Sequence, residues 1–293
     1  MLETVENIKA AEPVRFVTVF LDILGTSRQL LMLDKALDDG ADEVDIQRLK
    51  KESLLPTQQL RSLVDNVYQD LKKTEPESAD VDGLSEHQAQ LLKETERDDS
   101  ICQWASDSLV ISVPILMDAE IRTLAAVFNL FKVCAATSLF MLAAGHPLRG
   151  AVSVGWGMQV TDDEVVGAGI VKAHAAEQDH ALYPRIIVKP EILRFLSEFA
   201  ARIARDREKA DLAKEISRRI KDLVCDDLDG MSIVDFLCPA ALEGLAELPR
   251  QALLERAHSM LQAYLRRSRE VSDLPLLRKY SWLSNYWTRR VQR

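Results

Sequence analysis

From Val14 to Ile23 the chain is dominated by valine, phenylalanine and isoleucine, a run that reads as a buried strand. Gly25-Thr26-Ser27 follows as a tight turn and helix start, and the helix continues through Leu30, Leu31 and Leu33 until its pattern fails at Asp38-Asp39-Gly40. Residues from about 41 to 98 turn polar and charged. They predict helical stretches near Gln58–Lys73 and, opened by the capping box Ser85-x-x-Gln88, at Glu86–Glu96, and read together as a helical insertion. Two apolar strands, Ile101–Ala105 and Leu109–Val113, flank the polar turn Ser106-Asp107-Ser108. A long helix from about Asp118 to Ala144 comes next, then a strand at Leu148–Trp156, a hairpin partner near Val160–Val166, a helix from Gly169 and a strand at Arg185–Val188. This order, β-α-β-β-α-β, predicts an α+β protein with a ferredoxin-like sheet over residues 14–188. Residues 189–293 read as a mostly helical accessory region. It holds an amphipathic segment with Leu253, Leu254, Ala257, Met260, Leu261, Tyr264 and Leu265, and Met231–Leu237 is short and apolar enough for a strand.

At 293 residues the chain can form a core without covalent staples, and 47% hydrophobic with 28% charged residues is the balance of an ordinary globular protein. Cys102, Cys134, Cys225 and Cys238 contain no C-x-x-C pair, which excludes a zinc knuckle or a redox motif and points to reduced thiols in a cytoplasmic setting. The first residues, Met-Leu-Glu-Thr-Val-Glu, lack the basic and apolar regions of a signal peptide. Asn129 and Lys132 interrupt the longest apolar stretch, so a packed core helix is expected there and no membrane span. A net charge of −9 argues against broad binding to nucleic acid or anionic lipid.

Within this pattern Asp22 stands out. A carboxylate inside an apolar strand needs a metal ion, a cation or a fan of backbone N–H groups to compensate it. Asp107 sits at the tip of the predicted central hairpin, so if the strands are neighbours the two carboxylates lie side by side and can hold two divalent cations. Oxygen ligands favour Mg²⁺ or Mn²⁺. Backbone N–H groups of Leu24–Ser27 at the helix start then face a phosphate chain. Taken singly, each aspartate has a plainer use: Asp22 as a cap for the next helix, Asp107 as a turn residue.

The residues Phe-Leu-Asp-Ile-Leu-Gly (20–25), Ser-Asp-Ser (106–108) and Leu-Arg-Gly-Ala-Val-Ser-Val-Gly (148–155) resemble the class III nucleotide cyclase domain. With the segment Gly167–Ala176 and Tyr183-Pro184-Arg185-Ile186-Ile187, they are similar more closely to the pyrimidine cyclases of bacterial Pycsar antiphage systems. The resemblance implies a cyclase that converts UTP to 3′,5′-cyclic UMP and pyrophosphate with two Mn²⁺ or Mg²⁺ ions, as an antiviral second messenger. It also implies a homodimer with composite active sites. Cytidylate cyclase activity, or a silent cyclase-like module that binds a nucleotide, are the alternatives it leaves. Carried onto this chain, Asp22 and Asp107 match the side-chain metal ligands, the carbonyl of Ile23 a further ligand and Phe20 a nucleotide-lining position; Gly25 and Thr26, in the turn that opens the helix, are substrate-binding candidates from the turn itself. Purine cyclases carry a lysine four residues before the second aspartate where this chain has Gln103, whose amide can meet a pyrimidine edge. The family's later asparagine and arginine fall near Lys172 and Ala176, which leaves Arg149, Lys172 and Arg185 as candidate sources of positive charge.

The remaining features have plain readings. His146, His174 and His180 lack metal-ligand spacing, Trp104 belongs to the core, and the Arg266-Arg267-x-Arg269 and Arg289-Arg290 clusters read as solvated helix faces. A polymerase palm also sets two aspartates on a ferredoxin-like sheet. It needs a basic template groove, which the acidic balance opposes.

Overall fold

A computed structural model describes residues 12–73, 99–243 and 247–291. Strand β1 (Val14–Ile23) lies at the middle of a sheet whose order is β2-β3-β1-β4-β6-β8-β7 among the described residues. Its neighbours are β3 (Ser108–Pro114) and β4 (Leu148–Thr161), both antiparallel. Strand β2 (Ile101–Ala105) pairs with β3, and the turn between them is Ser106-Asp107, with φ +57° at Ser106. Ser108 thus belongs to the strand, one residue earlier than the sequence pattern placed it. β5 (Glu164–Gly167) folds back on β4 at Asp162-Asp163, so Val160 stays in β4 instead of opening the return strand. β6 (Ile186–Val188) runs parallel to β4, and the sheet is extended by β8 (Ser232–Val234) and β7 (Val224–Asp226). The fold is α+β, and its later third contributes two strands to the same sheet.

Alternation along β1 separates two layers. Val17, Val19, Leu21 and Ile23 enter the main core, whereas Phe16, Thr18, Phe20 and Asp22 point to the other face. Helix α1 (Thr26–Asp38) leads into α2 (Glu43–Lys73), one continuous helix that begins fifteen residues before the predicted Gln58 start. Pro56 and the dense charges hid it in the sequence. What holds it is a stripe of buried Leu49, Ser53, Pro56, Leu60 and Val64 at helical spacing, of which Leu60 and Val64 join the main core. The predicted helix at Glu86–Glu96 lies outside the described residues. Helix α3 (Glu120–Ala144) is apolar around most of its circumference and correspondingly buried; by length and composition it is one helix that could cross a membrane, but 72% of its apolar window is packed inside the protein.

Helix α4 (Ala168–His180) covers the other face of the sheet. It can do so because β4 presents Ala151, Ser153, Gly155 and Gly157 opposite Phe20, Thr18, Phe16 and Val14. A Cβ built on Gly155 would lie 2.6 Å from the amide nitrogen of Gly169, so backbone meets backbone at this point and only glycine fits.

The chain then forms α5 (Pro190–Ile203), α6 (Arg207–Asp222), the short α7 (Pro239–Leu242), α8 (Glu247–Glu270) and α9 (Leu274–Val291). Ala257, Leu261 and Leu265 of α8 are buried as their spacing predicted. Arg289 and Arg290 are not on a solvated face. Arg289 donates to Asp227 at 3.0 Å and Arg290 pairs with Asp235, two buried aspartates that also accept from Trp282 Nε1 (2.7 Å) and from the Tyr286 hydroxyl (2.6 Å) respectively. These bonds seat α9 on the strands around β7 and β8. The predicted face failed because its partners lie more than fifty residues away.

Candidate active site

Asp22 is the penultimate residue of β1, and strand register decides its neighbours: Ser108 on β3 to one side, Arg149 on β4 to the other. Ser108 donates to Oδ1 at 3.3 Å, and Arg149 donates to Oδ2 through Nε (3.0 Å) and Nη2 (2.8 Å). Asp107 precedes Ser108 in the hairpin turn, so the turn brings the second carboxylate to the same tip. Its Oδ2 is buried and has no hydrogen-bond partner. Burial pushes the Asp22 carboxyl above its ordinary range; Arg149 pulls it down and the charge of Asp107 adds to the rise.

Two groups that sequence reasoning missed complete this cluster. Glu177 of α4 is only 2% exposed, with Oε1 2.7 Å from Arg149 Nε. Its carboxyl is also raised, first by burial and then by Asp22, against the pull of Arg149. Lys279 of α9 is half-buried; burial and then Arg149 depress its ammonium, while Asp273 and Asp22 act in the opposite sense. Neither carried a sequence signal, because both arrive on elements remote in the chain from β1.

The other predicted residues are distributed as follows. Phe20 and Gln103 share the Asp22 face of the sheet, since Phe20 pairs with Val110 and Val110 with Gln103. Phe20 packs against the His174 ring at 4.8 Å between centroids, and the Gln103 side-chain carbonyl accepts from the Val165 N–H at 3.2 Å. Gly25 takes φ +97° at the start of α1, a conformation that favours glycine. It is itself the N-cap, and no side chain caps the helix. Thr26 donates its hydroxyl to the Ile23 carbonyl at 3.4 Å. Of the N–H groups expected to face phosphates, that of Leu24 is spent on Pro147 O at 3.0 Å. Lys172 is exposed, its Nζ 3.5 Å from Val154 O, five residues along β4 from Arg149, and Ala176 is buried.

Arg185 is removed from the list of available cations. It is buried, pairs with Asp227 and with Asp229 (2.6 Å), donates to His180 O at 3.0 Å, and lies over the rings of Tyr183 and Trp282. It braces the strand end.

Two adjacent carboxylates, one with an orphaned buried oxygen, suit a hard divalent cation. Among the described residues no three His, Cys, Asp or Glu side chains gather as a ready metal cage. Mg²⁺-type sites do not require one, because one or two carboxylates suffice when substrate phosphates and water complete the shell. A cleft of 770 Å³ opens at the opposite end of β1, lined by Val14, Phe16, Ile101 and Pro114 among others, and contains none of these site residues. The Asp22 tip, where charge and burial converge, is the candidate site.

No protein-family model matches the chain, and no curated protein matches it. Among solved structures, the adenylyl cyclase CyaB from P. aeruginosa is similar at 13% identity and a TM-score of 0.31, over 77% of this chain and 96% of that one. At that level the likeness is too slight to carry an argument.

Proposed function

We propose that the chain is a nucleotidyl cyclase of the class III type that acts on a pyrimidine triphosphate, UTP before CTP, and makes a cyclic monophosphate as an antiphage signal. The observation that carries the reading is the pair Asp22 and Asp107 at neighbouring strand tips, with a buried, unpartnered oxygen on Asp107. The strand order β4-β1-β3-β2 is what a ferredoxin-like cyclase core requires, and supports the assignment of residues 14–188 to it.

Asp22, Asp107 and the Ile23 carbonyl would hold Mn²⁺ or Mg²⁺. When bound, the two ions supply a lowered hydroxyl pKa and neutralise charge on the phosphates. The ribose 3′-oxygen forms a bond to the α-phosphorus as the bond to the bridging oxygen of the β-phosphate breaks; pyrophosphate leaves and the hydroxyl proton passes to solvent. Phe20 lines the base, and Gln103, whose amide nitrogen remains to donate, meets its edge. Gly25 and Thr26 begin a helix whose uncapped N-terminus faces the phosphates. Arg149 is the cation nearest the carboxylates and takes the charge-stabilising role that the family gives to an arginine near Ala176. Lys172 stands further along the same face.

A head-to-tail homodimer belongs to this reading. Trp156, Met158 and Val160 of β4 and Val166 of β5 stand exposed on one hairpin, an apolar strip of the kind a second copy covers. The engagement of Asp22 by Arg149 and of Gln103 by Val165 favours, as a second reading, a module that binds a nucleotide without turning it over.

Incubating the purified chain with each of the four ribonucleoside triphosphates and Mn²⁺ and analysing products by mass spectrometry separates these readings. Cyclic UMP supports the first and cyclic CMP the cytidylate alternative. Nucleotide binding without any cyclic product leaves the silent module.

A further inference from the structure

We propose that Glu177 is a positioning residue for Arg149: it takes over the guanidinium when Asp22 turns its carboxylate to a divalent cation. The inference rests on the reading of Asp22 and Asp107 as cation ligands. In the structure Arg149 Nε faces two carboxylates at once. It makes an aligned hydrogen bond to Asp22 Oδ2 at 3.0 Å, while Glu177 Oε1, at 2.7 Å, is buried and receives no hydrogen bond from any donor. A charged acceptor at contact distance therefore has its capacity unspent.

The surroundings make that imbalance directional. Glu177 is 2% exposed and Asp22 13%, so water does little for either, whereas Arg149 at 28% has room to turn. The guanidinium carries five N–H donors in a rigid fork, and a change of side-chain torsion exchanges one carboxylate for the other. Glu177 does not have to move. Its helix is fixed by the backbone contact of Gly169 on Gly155.

A divalent cation on Asp22 repels Arg149, which must leave for a partner or for solvent. Glu177 is that partner. It lowers the cost of vacating Asp22 and retains a positive charge beside the site, where the phosphates of a nucleotide come to lie.

The test is Mn²⁺ binding to the full chain, measured by calorimetry and by the free-ion electron paramagnetic resonance signal, for wild type, Glu177→Gln, Arg149→Gln and the double variant. Glu177→Gln is expected to weaken Mn²⁺ about tenfold, in the range for residues that support a metal ligand. Arg149→Gln is expected to bind Mn²⁺ at least as tightly as wild type, because the competitor is gone. In that background Glu177→Gln is expected to change the affinity by no more than about twofold, since the residue acts through Arg149.

An unchanged affinity in Glu177→Gln overturns the inference. So does an equal loss in both backgrounds, which would make Glu177 a ligand itself or a purely structural residue. If Glu177→Gln fails to fold by circular dichroism, Glu177→Asp replaces it; the shortened carboxylate is expected to weaken Mn²⁺ several-fold in the wild-type background only. Wild-type protein that binds no Mn²⁺ would remove the cation site and this inference together, whereas wild-type binding with an indifferent Glu177 removes the inference alone.

Discussion

Adding one methyl group at Gly155 tests how the sheet positions α4. A Cβ there would lie 2.6 Å from Gly169 N, 2.8 Å from Gly169 Cα and 3.0 Å from Ala168 C, all backbone atoms that cannot rotate away. Ordinary contact begins at 3.4 Å, so Gly155→Ala requires the N-terminus of α4 to retreat by about 0.8 Å. Overpacking of this kind costs about 1–3 kcal/mol, which at roughly 2–4 °C per kcal/mol lowers the melting temperature by several degrees. The same displacement moves Glu177 and His174 away from Arg149 and Phe20, so Mn²⁺ affinity falls as well. Thermal unfolding by circular dichroism measures the first effect and Mn²⁺ titration the second. A Gly155→Ala protein that melts within about one degree of wild type would refute the claim that α4 rests on β4 at backbone contact.

The other consequences concern single groups. Ser153 lies on the same strip with its hydroxyl buried and unpartnered, so Ser153→Ala is expected to leave stability unchanged or raise it by up to about 1 kcal/mol in urea unfolding. Tyr286→Phe removes the 2.6 Å bond to buried Asp235 and is expected to cost about 1.5–3 kcal/mol by the same measurement. Because burial raises Asp22 above its ordinary 3.8, its contribution to stability is fully present below that pH and is lost as pH rises through the folded value. Asp22→Asn abolishes that loss, so wild type should fall relative to Asp22→Asn as pH rises above 3.8 in urea titrations; a difference that stays constant as pH rises would contradict the assignment.

Much of this architecture was legible along the chain because it follows from local periodicity. The apolar run of β1, the glycine turn at Gly25, the hairpin around Asp107 and the all-round apolar α3 each announce themselves within a dozen or two residues. Helix α2 did not, since Pro56 and a high charge density masked a buried stripe that only packing against the core reveals. Strand β7, three residues long, is too short for a pattern, whereas β8 lies within the apolar piece Met231–Leu237 that the sequence marked as a strand.

The candidate site divides in the same way. Asp22 was visible as a misplaced charge in its own strand. Its partner Arg149 lies 127 residues away and is set by strand register, while Glu177 and Lys279 arrive on helices whose sequences carry no sign of it. Arg185 read as an available cation, and Arg289 with Arg290 as a solvated helix face, until tertiary structure supplied their buried aspartates.

Conversion of UTP in the presence of Mn²⁺ by wild type and by Asp107→Asn, each checked for native circular dichroism, is the decisive measurement for a cyclase whose cations rest on Asp22 and Asp107. Wild type is expected to give cyclic UMP and pyrophosphate in equal amounts, and the variant none. Folded wild-type protein that yields no cyclic nucleotide from UTP or any other triphosphate, or an Asp107→Asn variant as active as wild type, would contradict that reading.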